Sequence, residues 1–426
     1  MKLAKIRIKN WQTFSEMTLH CKDFLIFTGA SDTGKSSLMK AILSFFQVRN
    51  LRESDIRNRE LPLEIIGDFC DKRGNFQVKF LKKKEREIQY FIRYSAEWRK
   101  LEEKEFQELL SSISVFYIPS IAEDGQMDYL LEKVFQNPKL KEYKHYWNEY
   151  QEARKSRKSH GFYRHLFLRF LFEVAGREEK NNFWENSILL WEEPEFYLNP
   201  QEERACYEKL LEHSKLGLNI IVSTNSSRFI DLEQYQSICV FRRLRNETRV
   251  YQYLGNLFSG DEVMEFNMNY WINPDRSELF FAKKVILVEG QTDKIILSYL
   301  SKKLGVYSYD DSIIECGSKS TIPQFIRLLN AFKIPYVAVY DKDNHAWRNP
   351  TEIFNSNQKN RSIQKMVHKK FGSYVELEND IEEEIYNENR ERKNYKNKPF
   401  YALEKVMQEG YRLPKRLREK IYKIFE

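Results

Sequence analysis

Hydrophobic residues at every second position open the chain: Leu3-Ala4-Lys5-Ile6-Arg7-Ile8 has the period of a half-buried strand. The run Phe24-Leu25-Ile26-Phe27 is apolar throughout, which predicts a strand buried on both faces, and it ends in a glycine loop. Segments 63–70, 75–81 and 86–94 are β-branched and aromatic, with a turn signal at Arg73-Gly74-Asn75, and predict a β-meander. Helical stretches follow from about 127 to 175. Short apolar strands then alternate with helices, at 187–191, 219–223 and 237–241 and again at 284–288, 312–315 and 335–340. Such alternation predicts parallel sheets with covering helices, because parallel neighbours need a crossover between them.

The least regular piece, about 255 to 282, holds Gly255, Gly260 and Asn273-Pro274-Asp275 and separates two α/β blocks. The domain boundary is expected there. Residues 1–275 form one expected domain, with a helical segment at about 125–175, and residues 280–426 a second. The second ends in two helices after an exposed Asn-rich loop around Glu388 to Lys398. Length and composition agree, since 426 residues at 42% hydrophobic can bury more than one core. No apolar run approaches the roughly 18–20 residues that cross a bilayer, and the start lacks a signal-peptide core, so a soluble, cytoplasmic protein without a membrane partner is expected. The cysteines, Cys21, Cys70, Cys206, Cys239 and Cys316, have neither zinc-ligand nor redox spacing. A formal charge of +8 suits a polyanionic partner, with basic clusters at Lys82 to Lys84, Arg154 to Lys158, Arg242 to Arg245 and Arg390 to Lys398.

Gly29-Ala30-Ser31-Asp32-Thr33-Gly34-Lys35-Ser36 is a G-x4-G-K-S loop between the predicted strand and the helical run from Ser37. Its glycines let the backbone turn its N–H groups toward phosphate oxygens, Lys35 reaches the outer phosphates, and Ser36 holds Mg²⁺. Gly29, Ser31, Asp32, Thr33, Gly34, Lys35, Ser36 and Ser37 are therefore the candidate nucleotide contacts. Downstream, the strand Ile188-Leu189-Leu190-Trp191 runs into Glu192-Glu193-Pro194-Glu195. Glu192 at the strand end suits the Mg²⁺ shell, and Glu193 suits polarisation of the attacking water. After the next strand, Asn225 in Ser223-Thr224-Asn225 suits a γ-phosphate sensor.

The second block carries another carboxylate set. One strand ends in Glu289-Gly290-Gln291-Thr292-Asp293 and another in Asp341-Lys342-Asp343. The carboxyl ends of parallel strands share a rim, so Glu289, Asp293, Asp341 and Asp343 can converge despite their separation in sequence. Clustered carboxylates repel one another unless cations neutralise them, which predicts Mg²⁺ or Mn²⁺ binding and suits phosphodiester cleavage.

These segments, together with Leu198-Asn199-Pro200 after the acidic strand end, resemble ABC-type ATPases of the SMC and RecF kind and, more closely, the OLD family of ATPase-Toprim nucleases. The resemblance implies an α/β chain: an ABC-type ATPase domain of mixed β-sheet with a helical insertion, then a Rossmann-like parallel Toprim domain. It implies Ser159 and Gly161 of Lys158-Ser159-His160-Gly161 as a degenerate signature that clamps ATP across a dimer or higher oligomer. It implies Glu382 or Asp380 as a further metal ligand, Lys398 as a late catalytic lysine, and Cys316-Gly317-Ser318-Lys319-Ser320 as a turn toward substrate phosphates. Two positions depart from the family: Asn225 replaces its usual His, and Tyr197-Leu198-Asn199-Pro200 replaces His-Leu-His-Pro, which implies slow hydrolysis with ATP as a gate. The implied activity is ATP-dependent cutting of nucleic acid, DNA ahead of RNA, in anti-phage defence, beside a partner such as a helicase or reverse transcriptase. The alternatives are a ribonuclease for tRNA or structured RNA, and a RecF-like DNA clamp that does not cut.

Overall fold

The computed structural model describes residues 1–47, 51–72, 74–83, 87–120, 143–177, 186–231, 234–258, 274–386 and 397–426. Much of the expected boundary segment, the first part of the expected helical segment and most of the Asn-rich loop lie outside the described residues. The chain divides into two compact units, Met1–Gln252 and Tyr253–Glu426. None of the described helices is long and apolar enough to cross a membrane.

The strands of the first unit are β1 (Lys2–Trp11), β2 (Phe14–His20), β3 (Phe24–Thr28), β4 (Leu63–Asp71), β5 (Gly74–Lys82), β6 (Gln89–Arg93), β7 (Arg99–Leu101), β8 (Ser114–Ile118), β9 (Ser187–Glu192), β10 (Leu218–Ser223), β11 (Ile238–Leu244) and β12 (Glu247–Gln252). An antiparallel sheet runs β2-β1-β4-β5-β6-β7 and contains the expected meander. The other sheet runs β12-β11-β3-β10-β9-β8 and is parallel except for the β11–β12 hairpin. Helix α1 (Lys35–Phe46) carries Leu38, Met39, Ala41, Ile42 and Phe45 into a core shared with side chains of both sheets, including Ile6, Ile8, Phe69, Leu190 and Phe241. Burying that stripe, more than helix propensity, holds a helix of this length. The fully buried Trp11 donates its Nε1 hydrogen to Ser37 O at 3.0 Å, which ties the antiparallel sheet to the first turn of α1.

Register places the functional loops. Phe27 pairs with Ser223, and Ser223 with Glu192, so the loop after β3, the acidic end of β9 and the polar end of β10 share one rim. Helices α2 (Glu103–Leu110), α3 (Lys144–Lys155), α4 (His160–Arg177) and α5 (Pro200–Lys215) complete the described part of this unit. The expected helical segment is thus two helices where it is described, separated near Arg157, whose φ is 49°.

The second unit is a parallel sheet, β14-β13-β15-β16, built from β13 (Lys284–Val288), β14 (Asp311–Glu315), β15 (Tyr336–Asp341) and β16 (Gly372–Leu377). Its helices are α6 (Gln291–Leu304), α7 (Ile322–Ala331), α8 (Pro350–Met366), α9 (Ile381–Tyr386), α10 (Lys398–Met407) and α11 (Lys415–Phe425). Alternate strand residues Ile286, Val288, Val337 and Val339 join one core with Ile296, Leu300, Val406, Ile421 and Ile424 from α6, α10 and α11. The intervening residues Val285, Leu287 and Ala338 are buried as well, so the strands are apolar on both faces, as a covered parallel sheet requires. Glu289 follows β13, Asp341 ends β15 and Asp380 follows β16, all at the same rim.

Trp11→Ala should destabilise the first unit by about 3–5 kcal/mol, the usual loss for emptying a large aromatic site. Trp11→Phe, which keeps most of the ring but leaves Ser37 O without this donor, should cost about 1–2 kcal/mol. Urea titrations of the full chain followed by far-UV circular dichroism read both losses.

Candidate nucleotide and metal centres

The glycine loop can form only because two positions lack a side chain. Gly29 has φ 130°, and a Cβ there would lie 2.3 Å from Phe241 O of β11. Gly34 has φ 95° and starts α1, where a Cβ would meet Thr13 Oγ1 at 2.9 Å. Thr33 Oγ1 donates to Ala30 O at 2.7 Å and closes the turn, while Thr248 Oγ1 donates to Thr33 O at 2.9 Å from β12. The unpaired amides of the first helical turn follow directly, the arrangement that suits an anion. Ser31 and Ser36 are exposed. Asp32 is exposed and pairs with Arg243 at 2.8 Å, and Ser37 is engaged by Trp11.

Lys35 is buried, and its ammonium donates to Gly29 O at 2.7 Å, Ala30 O at 3.1 Å and Asn225 Oδ1 at 3.1 Å. Burial pushes its pKa down, while the charges of Glu193 and Glu195 push it back up. Asn225 is a two-sided bridge: its Oδ1 accepts from Lys35 and its Nδ2 donates to Glu193 Oε1 at 2.8 Å. The Asn225 amide nitrogen donates to Glu195 Oε1 at 2.7 Å. Burial raises the Glu195 pKa, and that backbone bond opposes the rise. Glu192 is turned elsewhere, accepting from Tyr117 OH at 3.0 Å and from Ser120 N and Oγ at 3.1 and 3.2 Å. The chain links Lys35 to Glu193 through Asn225, and Glu192 lies one residue away on the same rim.

Arg164 of α4 has no counterpart among the sequence-derived candidates. It is buried and donates to Glu193 O at 2.7 Å, Pro119 O at 2.6 Å, Glu192 O at 3.0 Å and Ser120 O at 3.1 Å. One guanidinium thus satisfies carbonyls at the ends of β8 and β9, its fixed fork matching their spacing. Burial lowers its pKa, opposed most strongly by Glu195. The stretch Tyr163 to Phe170 also holds His165 and Arg169, so the sequence leaves no signal that singles Arg164 out. Ser159 is exposed, and Gly161 packs against the Tyr197 ring, where a Cβ would approach to 3.3 Å.

In the second unit the expected acids gather. Glu289 Oε1 accepts from Asp341 N at 2.8 Å, and Asp293 Oδ2 accepts from Gly290 N at 3.0 Å at the start of α6. Burial, then the charges of Glu289, Glu382 and Asp380, push the Asp293 pKa up to about 7. Asp341 is raised well above the usual range, by burial and then by Asp293, Glu289, Asp380 and Asp343. Asp380 is raised by burial and relieved chiefly by Glu383 N. His345 is buried, meets Glu383 Oε1 at 2.8 Å through Nδ1, and stacks on Trp347. Glu382 Oε1 lies 3.7 Å from Lys398 Nζ, the first residue of α10. Lys319 differs from expectation: it is buried and donates to Asp341 O at 2.5 Å, Asp343 Oδ2 at 2.6 Å and Ser356 Oγ at 2.9 Å, so it turns inward to the acids.

Carboxylates that raise one another's pKa by charge have one general remedy, a shared cation. Asp341 Oδ1 is enclosed and has no hydrogen-bond partner, the kind of oxygen that a divalent ion would complete. Among the described residues no ready-made cage of three His, Cys, Asp or Glu side chains already surrounds a point. What points to a cation here is the chemistry of the acids and the unpartnered Asp341 oxygen.

Residues 1–158 match the AAA ATPase domain family, and residues 280–343 match the family described as Overcoming lysogenization defect protein-like, TOPRIM domain. The OLD nuclease of Thermus scotoductus is 32% identical over 161 residues, which cover 36% of this chain and 30% of that protein. The Old nuclease of Escherichia phage P2 is 23% identical over 223 residues, covering 50% of this chain and 38% of that one. The chain thus matches only about a third of the length of these curated relatives. Among solved structures, the SMC head domain from Thermotoga maritima overlaps 59% of this chain and 99% of its own length at 14% identity, with a TM-score of 0.41.

Arg164→Met should lower the stability of the first unit by about 2–4 kcal/mol, because the carbonyls it serves lose a charged donor in a buried place. Arg169→Met, which breaks the exposed pair with Glu149, should cost under about 1 kcal/mol. Paired urea denaturation curves make the comparison, and equal losses would contradict the role given to Arg164.

Proposed function

We propose that this chain, in which an ABC-type AAA ATPase domain precedes a Rossmann-like, OLD-like TOPRIM domain, is a divalent-metal-dependent nuclease that cuts DNA and is gated by ATP. The observation that carries the reading is the enclosed, unpartnered Asp341 Oδ1 at the rim of one parallel sheet, with Glu289 bonded to the Asp341 N–H and Asp380 following the neighbouring strand at the same rim. A metal bound there supplies charge neutralisation of the scissile phosphate and activation of water. Asp341 and Glu289 would hold it, and Asp293, Asp380 and Glu382, whose charges act on this rim, would share in neutralising it. Lys398, beside Glu382 and half exposed, would meet a substrate phosphate or leaving oxygen.

In the ATPase domain, Lys35 would exchange its bonds to Gly29 O, Ala30 O and Asn225 for the outer phosphates, with Ser36 and Glu192 at Mg²⁺. Glu193 would then be free of its Asn225 bridge to act on the attacking water. The Lys35–Asn225–Glu193 chain supports slow hydrolysis, since the candidate base and the candidate sensor hold each other in the nucleotide-free arrangement. Ser159 and Gly161 would complete the site of a second copy in a dimer or higher oligomer. A role in anti-phage defence, with a partner such as a helicase or reverse transcriptase, accords with the OLD-like TOPRIM match.

The test is cleavage of supercoiled plasmid, linear duplex DNA and tRNA in Mg²⁺ or Mn²⁺, with ATP, ADP or a non-hydrolysable analogue. DNA should be cut, Asp341→Asn should abolish cutting while ATP binding survives, and Glu193→Gln should slow hydrolysis by about 10²–10⁴-fold. Cleavage of tRNA alone would move the reading to a ribonuclease, binding without cleavage would move it to a clamp, and identical rates under every nucleotide would remove the gate.

A further inference from the structure

The antiparallel sheet of the first unit turns one face into the core, through Ile6, Ile8, Ile65, Val78, Phe80 and Tyr90. Register fixes what the other face carries, because directly paired residues point the same way. Thr18, Arg7, Ile66, Lys79, Phe91 and Lys100 make one row across β2, β1, β4, β5, β6 and β7. The row has no acid. Arg7, Lys79 and Lys100 stand two strands apart, roughly 10 Å from one to the next at ordinary strand spacing, with Phe91 between the last two. Beside it runs a second row, His20, Lys5, Asp68, Gln77 and Arg93.

Aromatic rings lie among these cations. Lys79 Nζ is 4.6 Å from the centre of the Phe91 ring and 4.3 Å from that of Trp98, and the Arg93 guanidinium is 4.7 Å from Trp98. Burial lowers the Lys79 pKa, Glu64 opposes the fall, and the charges of Arg93 and Lys83 add to it, so this ammonium gains from an anion. Arg7 meets Asp68 Oδ1 only at 3.5 Å, on a carboxylate already taken by Lys5 at 3.0 Å and Gln77 at 2.8 Å. Arg7 Nε has no hydrogen-bond partner among the described residues. Tyr94 is exposed beside a hollow of about 460 Å³ that Lys5, Gln77 and Arg93 also line, room enough for a base.

We propose that this open sheet face is a docking track for single-stranded nucleic acid, with phosphates along Arg7, Lys79 and Lys100 and unstacked bases on Phe91, Trp98 and Tyr94. Charge sets the sign of the partner: Lys5, Arg7, Lys9, Lys79, Arg93 and Lys100 share the face with only Glu16, Glu64 and Asp68 as acids. The rings set its kind. An acidic peptide would use the cations and leave the rings idle, and a duplex keeps its bases stacked on one another, whereas a single strand uses both. Lys79 would move from the rings to a phosphate as a base takes its place. These strands carry none of the candidate nucleotide or metal ligands, so the track goes beyond the cleavage reading and does not depend on it.

The experiment is fluorescence anisotropy of a labelled oligo(dT), and of a duplex of equal length, titrated with the full-length chain in EDTA without nucleotide over a range of salt. Each variant is first checked by thermal melting. Wild type should bind the oligo(dT) more tightly than the duplex. Lys79→Gln with Lys100→Gln removes two phosphate contacts and should flatten the slope of log K against log salt by roughly 1.4. Trp98→Ala should weaken oligo(dT) binding about 5–150-fold, the loss of one stacked base, while duplex binding stays within about twofold. Trp98→Phe should recover most of that loss, and Lys415→Gln, at an exposed position of α11, should change neither affinity. If Trp98→Ala does not fold, the double lysine variant decides alone. Tighter binding of the duplex, no binding of oligo(dT), an unchanged salt slope in the double variant, equal losses for both probes in Trp98→Ala, or equal competition by polyglutamate would each overturn the track. Because no metal is present, any of these leaves the metal-dependent reading standing, and a chain that cuts nothing in Mg²⁺ or Mn²⁺ would leave the track standing.

Discussion

Parallel strands cannot be joined by a tight turn, so each must be followed by a crossover that returns the chain to the same starting edge. The consequence is that strand carboxyl ends line one rim, and whatever residue follows each strand is delivered there regardless of its distance in sequence. Both candidate centres of this protein depend on that constraint. In the first unit the pairing of Phe27 with Ser223 and of Ser223 with Glu192 brings the glycine loop, Glu193 and Asn225 together. In the second, the pairings among β13, β15 and β16 do the same for Glu289, Asp341 and Asp380.

A shared rim concentrates charge, and charge away from water must be compensated. Each unit uses a buried lysine for this, in opposite ways. Lys35 sits on loop carbonyls and on Asn225, neutral acceptors that a nucleotide phosphate can replace with gain. Lys319 sits on a carboxylate that is also held by Arg348 and Ser356. The partners of the first lysine are neutral, and those of the second include a carboxylate. Arg164 solves a related problem without an acid, serving carbonyls where β8 and β9 end and the chain leaves regular pairing.

The glycine loop was legible because its signal is local: strand, turn and helix are contiguous, and Gly29 and Gly34 are demanded by backbone geometry that no other residue meets at low cost. The acidic strand ends were legible because apolar runs of strand length announce where the rim lies. The direction of a long side chain was not legible. Lys319 reads as a surface residue of a polar turn, and only the return of β15 beside β13 supplies the carboxylates that draw it inward. Arg164 fails the same way, since its carbonyl partners lie in two segments distant from it in sequence. Strands β8 and β16 carry a weaker pattern for another reason. Among the described residues each is the last strand of its sheet, and several of its residues stay partly exposed.

The account's central claim is that the rim of the second unit is a metal centre organised on Asp341. Anomalous diffraction from crystals of the full chain soaked with Mn²⁺ tests it most directly. The account predicts a peak within coordination distance of Asp341 Oδ1. A peak that bypasses Asp341, or none at that rim in Mn²⁺-saturated crystals, would contradict it.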